Sequence, residues 1–157
     1  MSTLKYKEFI CLIQLTQIEL IKSTIESINF KKLNDTIGEC GILLYALEID
    51  NLEILDLLLS ADDINAGYTF DNKSWTPLMF CAEYGQVNEF QMILNTGKGK
   101  LNYVNYLGES ALNIAKSNKN SIKQEINKLK INETTKEFIL RNALKKYSEI
   151  IYCNVVE

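Results

Sequence analysis

The chain contains no histidine, and one arginine, Arg141, against sixteen lysines. The first absence removes Ser-His-Asp triads, Cys-His pairs, His-ligated zinc and any histidine pH switch. The second makes bidentate guanidinium clamps on phosphate scarce. Four cysteines, Cys11, Cys40, Cys81 and Cys153, lie far apart with no C-x-x-C among them, so metal and redox motifs lack support. They are expected to be reduced, mostly buried thiols acting as small hydrophobes, and no oxidising compartment is implied. Long apolar runs are missing too. Phe9 to Ile13 is followed by Gln14, Thr16, Gln17 and Glu19, which does not fit a secretory leader. No stretch approaches the ~18 apolar residues of a membrane span. A cytoplasmic protein with no membrane partner is the expectation.

What is present is ordinary in bulk and periodic in detail. The 157 residues, 46% apolar and 24% charged, suit one globular domain. The only Pro and the only Trp sit two residues apart in Ser74-Trp75-Thr76-Pro77-Leu78-Met79-Phe80-Cys81-Ala82-Glu83-Tyr84-Gly85. Thr76 fits an N-cap and Pro77 the first helical position. Leu78, Cys81 and Ala82 have the spacing of a buried helical stripe. Gly85 suits the left-handed residue that closes a helix. A second helix follows, with Val87, Phe90, Ile93 and Leu94 inward, ending near Gly97.

The pattern returns about every 34 residues. Gly108 to Ala115 lies over Ser74 to Cys81, with Ser110 in the capping place and Leu112 and Ala115 in apolar places. One step back, Leu43, Ala46 and Asp50 lie over Leu78, Cys81 and Gly85, and Leu52, Leu55 and Leu57 to Leu59 over Val87, Phe90 and Met92 to Leu94. A further step puts Gln17 to Lys22 over Asn51 to Asp56. Ile28-Asn29, Ile64-Asn65 and Leu101-Asn102 end successive units. Such a period is the mark of stacked repeats, each contacting only its neighbours.

The period and the T-P-L-x-x-C-A-x-x-G string resemble the ankyrin repeat, most closely over 71–104, then over 36–69 and 105–120, and faintly over 5–33. The resemblance implies an all-α solenoid of about four helix-turn-helix repeats with short hairpin loops and helical caps at both ends. It places inner helices near 42–49, 77–84 and 111–117, outer helices near 52–60, 87–95 and 120–129, and hairpin loops near 62–73 and 97–108. Residues 1–33 read as a degenerate first repeat serving as a cap, 34–69, 70–104 and 105–133 as repeats, and 134–157 as a capping segment. Met79 stands where the family usually has His, and Asp50 occupies a closing-glycine place.

Catalytic signals are weak. Asp62-Asp63, and Glu48 with Asp50, fall on or beside a loop and a helix end, where a solvated acidic face is expected rather than a hydrolytic pair with separated pKa values. Gly97-Lys98-Gly99-Lys100 lacks the phosphate-loop spacing and follows a helix, so a hairpin turn is expected. Cys40 or Cys81 would need an activating base, and histidine is missing. No enzyme, cofactor or metal site is predicted.

Charge is unevenly spread. Residues 33–72 hold nine acids and no Lys or Arg, whereas 98–147 hold eleven Lys plus Arg and four acids. Solvated outer faces account for this, and so does a field that steers a partner with a basic patch. The net charge of −3 and the near-absence of arginine argue against nucleic acid. The aromatics Tyr68, Phe70, Trp75, Tyr84, Tyr103 and Tyr106 fall on predicted hairpins or inner-helix ends, where the resemblance implies partner contact. Trp and Tyr bury much area at small entropic cost. Two roles remain open to Trp75 and Tyr84, contact surface or packing between hairpins.

The expected function is a protein-binding module, monomeric, acting by occupancy through its concave face and hairpin loops. Trp75, Tyr84, Tyr106, Tyr68, Asn72, Lys73, Glu83, Glu48 and Glu109 are its candidate contacts. The alternatives are a dedicated inhibitor, such as a bacterial immunity protein facing a basic toxin, and a pathogen effector that seizes a host protein.

Overall fold

Left-handed residues recur at the repeat period. Thr16, Asp50 and Gly85 have φ of 52°, 54° and 66°, and each follows a helix. In each case the next backbone N–H reaches back to a carbonyl five residues earlier: Gln17 to Leu12 at 2.9 Å, Asn51 to Ala46 at 3.5 Å and Gln86 to Cys81 at 2.9 Å. This is the closure of a Schellman-type cap. The same turn is thus built three times, and only once with glycine.

The computed structural model describes residues 3–30, 33, 41–67, 69, 74–128 and 133–153. Its helices are α1 (Thr3–Gln14), α2 (Ile18–Ile25), α3 (Ile42–Glu48), α4 (Leu52–Leu59), α5 (Pro77–Tyr84), α6 (Val87–Asn95), α7 (Ala111–Lys128) and α8 (Glu133–Cys153). Phe30 and Leu33 are helical as well. No strand forms among the described residues. Thr76 caps α5, its hydroxyl accepting from the Met79 N–H at 3.3 Å. Asn51 caps α4 by accepting from the Ile54 N–H at 3.0 Å.

The helices stack in two rows. In the inner row α1 packs on α3, α3 on α5 and α5 on α7; in the outer row α2 packs on α4, α4 on α6 and α6 on α8. Each inner helix also packs on the outer helix that follows it. Ile13, Ile21, Leu47, Ile54, Leu55, Leu58, Leu78, Cys81, Phe90 and Ile93 are buried between the rows. The buried stripe expected of Leu78, Cys81 and Ala82 is present.

The last unit departs from expectation. A helix break was expected between 117 and 120, with an outer helix near 120–129. Instead α7 runs unbroken from Ala111 to Lys128, and α8 takes the place beside α6. The physical reason lies in the turn. The positions that would close α7 early, Asn118 and Lys119, lie in a stretch of sequence with no Gly or Pro from 109 to 132, so propagation costs less than stopping. The Cys11 thiol is exposed rather than buried: α1 is the first helix of its row and covers only one side.

Candidate functional site

The inner helix α5 buries Pro77, Leu78, Met79, Cys81 and Ala82. Its positions that are not fully buried are Phe80, Glu83 and Tyr84, and the two rings lie one turn apart on one face. Their rings meet at a tilt of 43°, with centroids 4.5 Å apart. Phe80 leans on the core while Tyr84 is 59% exposed. Trp75, at the other end of the same helix, is half-buried and packed against the core. The eight-residue helix between them is about 12 Å long at 1.5 Å per residue. The sequence treated them as one surface; the fold gives them different surroundings.

The hairpin loop before α7 is organised by Asn105, which is 4% exposed. Its Oδ1 accepts from the N–H groups of Leu107 at 3.0 Å and Glu109 at 2.9 Å, and its Nδ2 donates to Glu109 Oε2 at 3.0 Å. The Gly108 N–H returns to the Asn105 carbonyl at 3.0 Å, a four-residue turn with Asn first and Gly last. The turn holds out Tyr106, Leu107 and, just before it, Val104, exposed at 63%, 52% and 53%. Of these only Tyr106 was expected. Asn105-x-x-Gly108 was the legible signal for the rest.

Several predicted contacts are engaged inside the fold. Glu109 braces Asn105. Glu83 accepts from Asn118 Nδ2 at its carboxylate, 2.9 Å, and at its carbonyl, 3.0 Å, and Tyr147 Oη donates to the same carbonyl at 3.3 Å. Glu48 is exposed at the end of α3. Tyr68, Asn72 and Lys73 lie outside the described residues, as do Phe70, Asp71 and Cys40. The Gly97–Lys100 run is a turn, as expected. Lys98 Nζ donates to the Ala61 and Asp62 carbonyls beyond α4, at 3.1 and 3.4 Å, and Lys100 lies 5.6 Å from the Tyr103 ring centre.

Beside Tyr84 is a polar cavity of about 520 Å³ whose lining includes Asp50, Gln86, Glu89, Lys146 and Glu149. Glu89 is 6% exposed. Burial pushes its carboxyl above the usual range, its own backbone N–H opposes this, and the neighbouring Asp50 adds to the rise. Burial also pushes the Cys81 thiol well up, with Glu89 adding to it. A thiol so placed is far from the thiolate that nucleophilic or metal chemistry requires. No group of three or more Cys, Asp or Glu able to hold a metal is found among the described residues, and no helix among them is long and apolar enough to cross a membrane.

Two rows of stacked helices, each inner helix packed on the outer helix that follows it, define an α-helical repeat solenoid whose available features are exposed rings and a loop tip. A family model for ankyrin repeats in three copies matches the chain over residues 10–103 and 43–133, and the chain belongs to the ankyrin repeat family. Members of that family are in general protein–protein interaction modules rather than enzymes. No curated protein and no solved structure matches the chain significantly.

Proposed function

We propose that this chain holds a protein partner against the exposed side of its inner helices and its hairpin tips, and acts by occupancy: masking, scaffolding or inhibiting. The observation that supports this is Tyr84, in tilted ring contact with Phe80 yet 59% exposed, on a helix capped at both ends. Tyr106 and Leu107 form a second point, on a turn that the buried Asn105 holds in shape. Each exposed ring forgoes on the order of 2 kcal/mol of burial at ~25 cal/mol/Å², which a partner would supply. Glu48 lies on the neighbouring inner helix. Trp75 supports the surface from beneath more than it forms it. Tyr84→Ala with Tyr106→Ala, used as bait beside the parent chain, tests the reading. The double variant should lose the parent's partner while its melting curve is retained; unchanged capture would sink the proposal.

A dedicated inhibitor of a basic protein is the second reading. Glu48, Asp50, Asp56 and Asp62 are exposed on several sides of α3 and α4, a field suited to steering a basic partner. Association that slows at least tenfold between 50 mM and 500 mM salt would support it, and salt-insensitive association would count against it.

A further inference from the structure

The C-terminal helix α8 carries two stripes. One, including Tyr147 and Ile150, is buried against the solenoid. The other comprises Glu137, Leu140, Arg141, Leu144, Lys145 and Ser148, which follow i, i+3, i+4, i+7, i+8 and i+11 and so form one face. It runs for about 16 Å at 1.5 Å per residue. With Lys119 of α7 it lines an open depression of about 590 Å³. Leu140 and Leu144 form its apolar part and are only partly covered by the fold.

The rim is cationic. Lys119, Arg141 and Lys145 face one acid of the lining, Glu137. Arg141 is the only arginine of the chain, and neither it nor Lys119 is engaged in an ion pair among the described residues. Lys145 reaches Glu149 only at 3.8 Å, with the lysine side chain largely in solvent, an arrangement worth little. Two leucines one turn apart among these cations are the complement of an amphipathic helix with apolar positions at i, i+3, i+4 and i+7 and carboxylates beside them. Arginine is favoured in such a setting because its planar fork meets carboxylates two bonds at a time.

The geometry points to this depression as a docking groove for an acidic amphipathic helix of a protein partner, separate from the surface around Tyr84 and Tyr106. An anionic bilayer fits less well, because the surface is concave and Glu137 stands in it. The inference does not depend on the concave-face reading, and the two fail separately.

The probe is a designed, fluorescently labelled helical peptide with Leu at i, i+3, i+4 and i+7 and Glu on the flanks, titrated into the full chain by anisotropy. A second peptide has Lys in place of every Glu. The acidic peptide should bind at least tenfold more tightly than the basic one. Lys119→Glu with Arg141→Glu should weaken it at least tenfold, Arg141→Lys should weaken it by less than that charge reversal, and Tyr84→Ala should leave it unchanged. Circular dichroism confirms that the charge-reversed chain keeps its helices; should it not, Arg141→Gln alone, with at least a threefold loss expected, takes its place. The proposal is overturned by no binding of the acidic peptide, equal binding of both peptides, indifference to the charge change, or loss on Tyr84→Ala. It is equally overturned if phosphatidylserine vesicles, rather than the peptide, are what the cationic rim holds. Sedimentation showing that this face pairs two copies of the chain would overturn it as well.

Discussion

Asn118 of α7 holds Glu83 of α5 at two points, donating to its carboxylate at 2.9 Å and to its backbone carbonyl at 3.0 Å. Tyr147 of α8 bonds the same carbonyl at 3.3 Å, and Lys146 reaches the next one, that of Tyr84, at 3.3 Å. The end of α5 is therefore the point where the last two helices are anchored, and a carbonyl end of a helix welcomes such donors. Asn118→Ala should cost about 1–2 kcal/mol in urea denaturation and speed amide exchange in α8 more than in α1. Uniform exchange along the chain would argue against this anchoring.

The three equivalent left-handed turns make opposite predictions for glycine. Gly85→Ala should lose about 1 kcal/mol from backbone strain at φ 66°. The Lys146 side chain, whose Cδ and Cε would lie 2.7 Å from the new Cβ, must also shift. Thr16 is β-branched at φ 52°, an unfavourable combination. Thr16→Gly should gain about 0.5–1 kcal/mol after the entropy of the added glycine is set against the strain removed. Chemical denaturation of the two variants reads both signs, and a loss at Thr16→Gly would contradict the turn assignment.

Glu89 predicts an unusual pH dependence. Its carboxyl is raised by burial and by Asp50, so the folded state favours the protonated form. That contribution is complete below the ordinary glutamate value of about 4.3 and is lost as pH rises through the raised folded value. The groups around it are Asp50, Gln86, Cys81, Glu149 and Lys146, and of these Asp50 adds to the rise that burial causes. Glu89→Gln should therefore be more stable than the parent at pH 7–8, with the difference closing toward pH 4. Urea midpoints at pH 4, 6 and 8 measure it, and a difference independent of pH would refute the buried-carboxyl account.

Trp75 and Tyr84 should separate in a stability assay. Trp75→Ala removes a ring packed against the core and should cost about 2–4 kcal/mol. Tyr84→Ala should cost under about 1 kcal/mol, mostly its contact with Phe80. Thermal melts of the two single variants decide it; equal losses would return both rings to scaffold.

Much of this molecule is legible along the chain because its determinants are local. Thr76, Pro77, Gly85 and the Leu78-Cys81-Ala82 spacing specify a helix, its ends and its buried face within ten residues, and the 34-residue recurrence specifies that such units stack. The faint first unit is legible in the same way once Thr16 is set beside Asp50 and Gly85. Tyr84 and Tyr106 were legible as rings on a helix end and a loop. Their exposure was not, because exposure depends on what packs alongside.

The sequence by itself determined a helical repeat protein without histidine chemistry, with the cap, end and buried face of α5 in known places. The tertiary structure alone decided that α7 runs past the expected break and that α8 completes the outer row. It also decided that Glu83 is engaged inside the fold, that Glu89 is buried and that Trp75 rests on the core. The reason is range. Caps, turns and periodicity act within a few residues, whereas burial, helix-to-helix placement and carboxyl pKa are set by neighbours some 30 to 60 positions away.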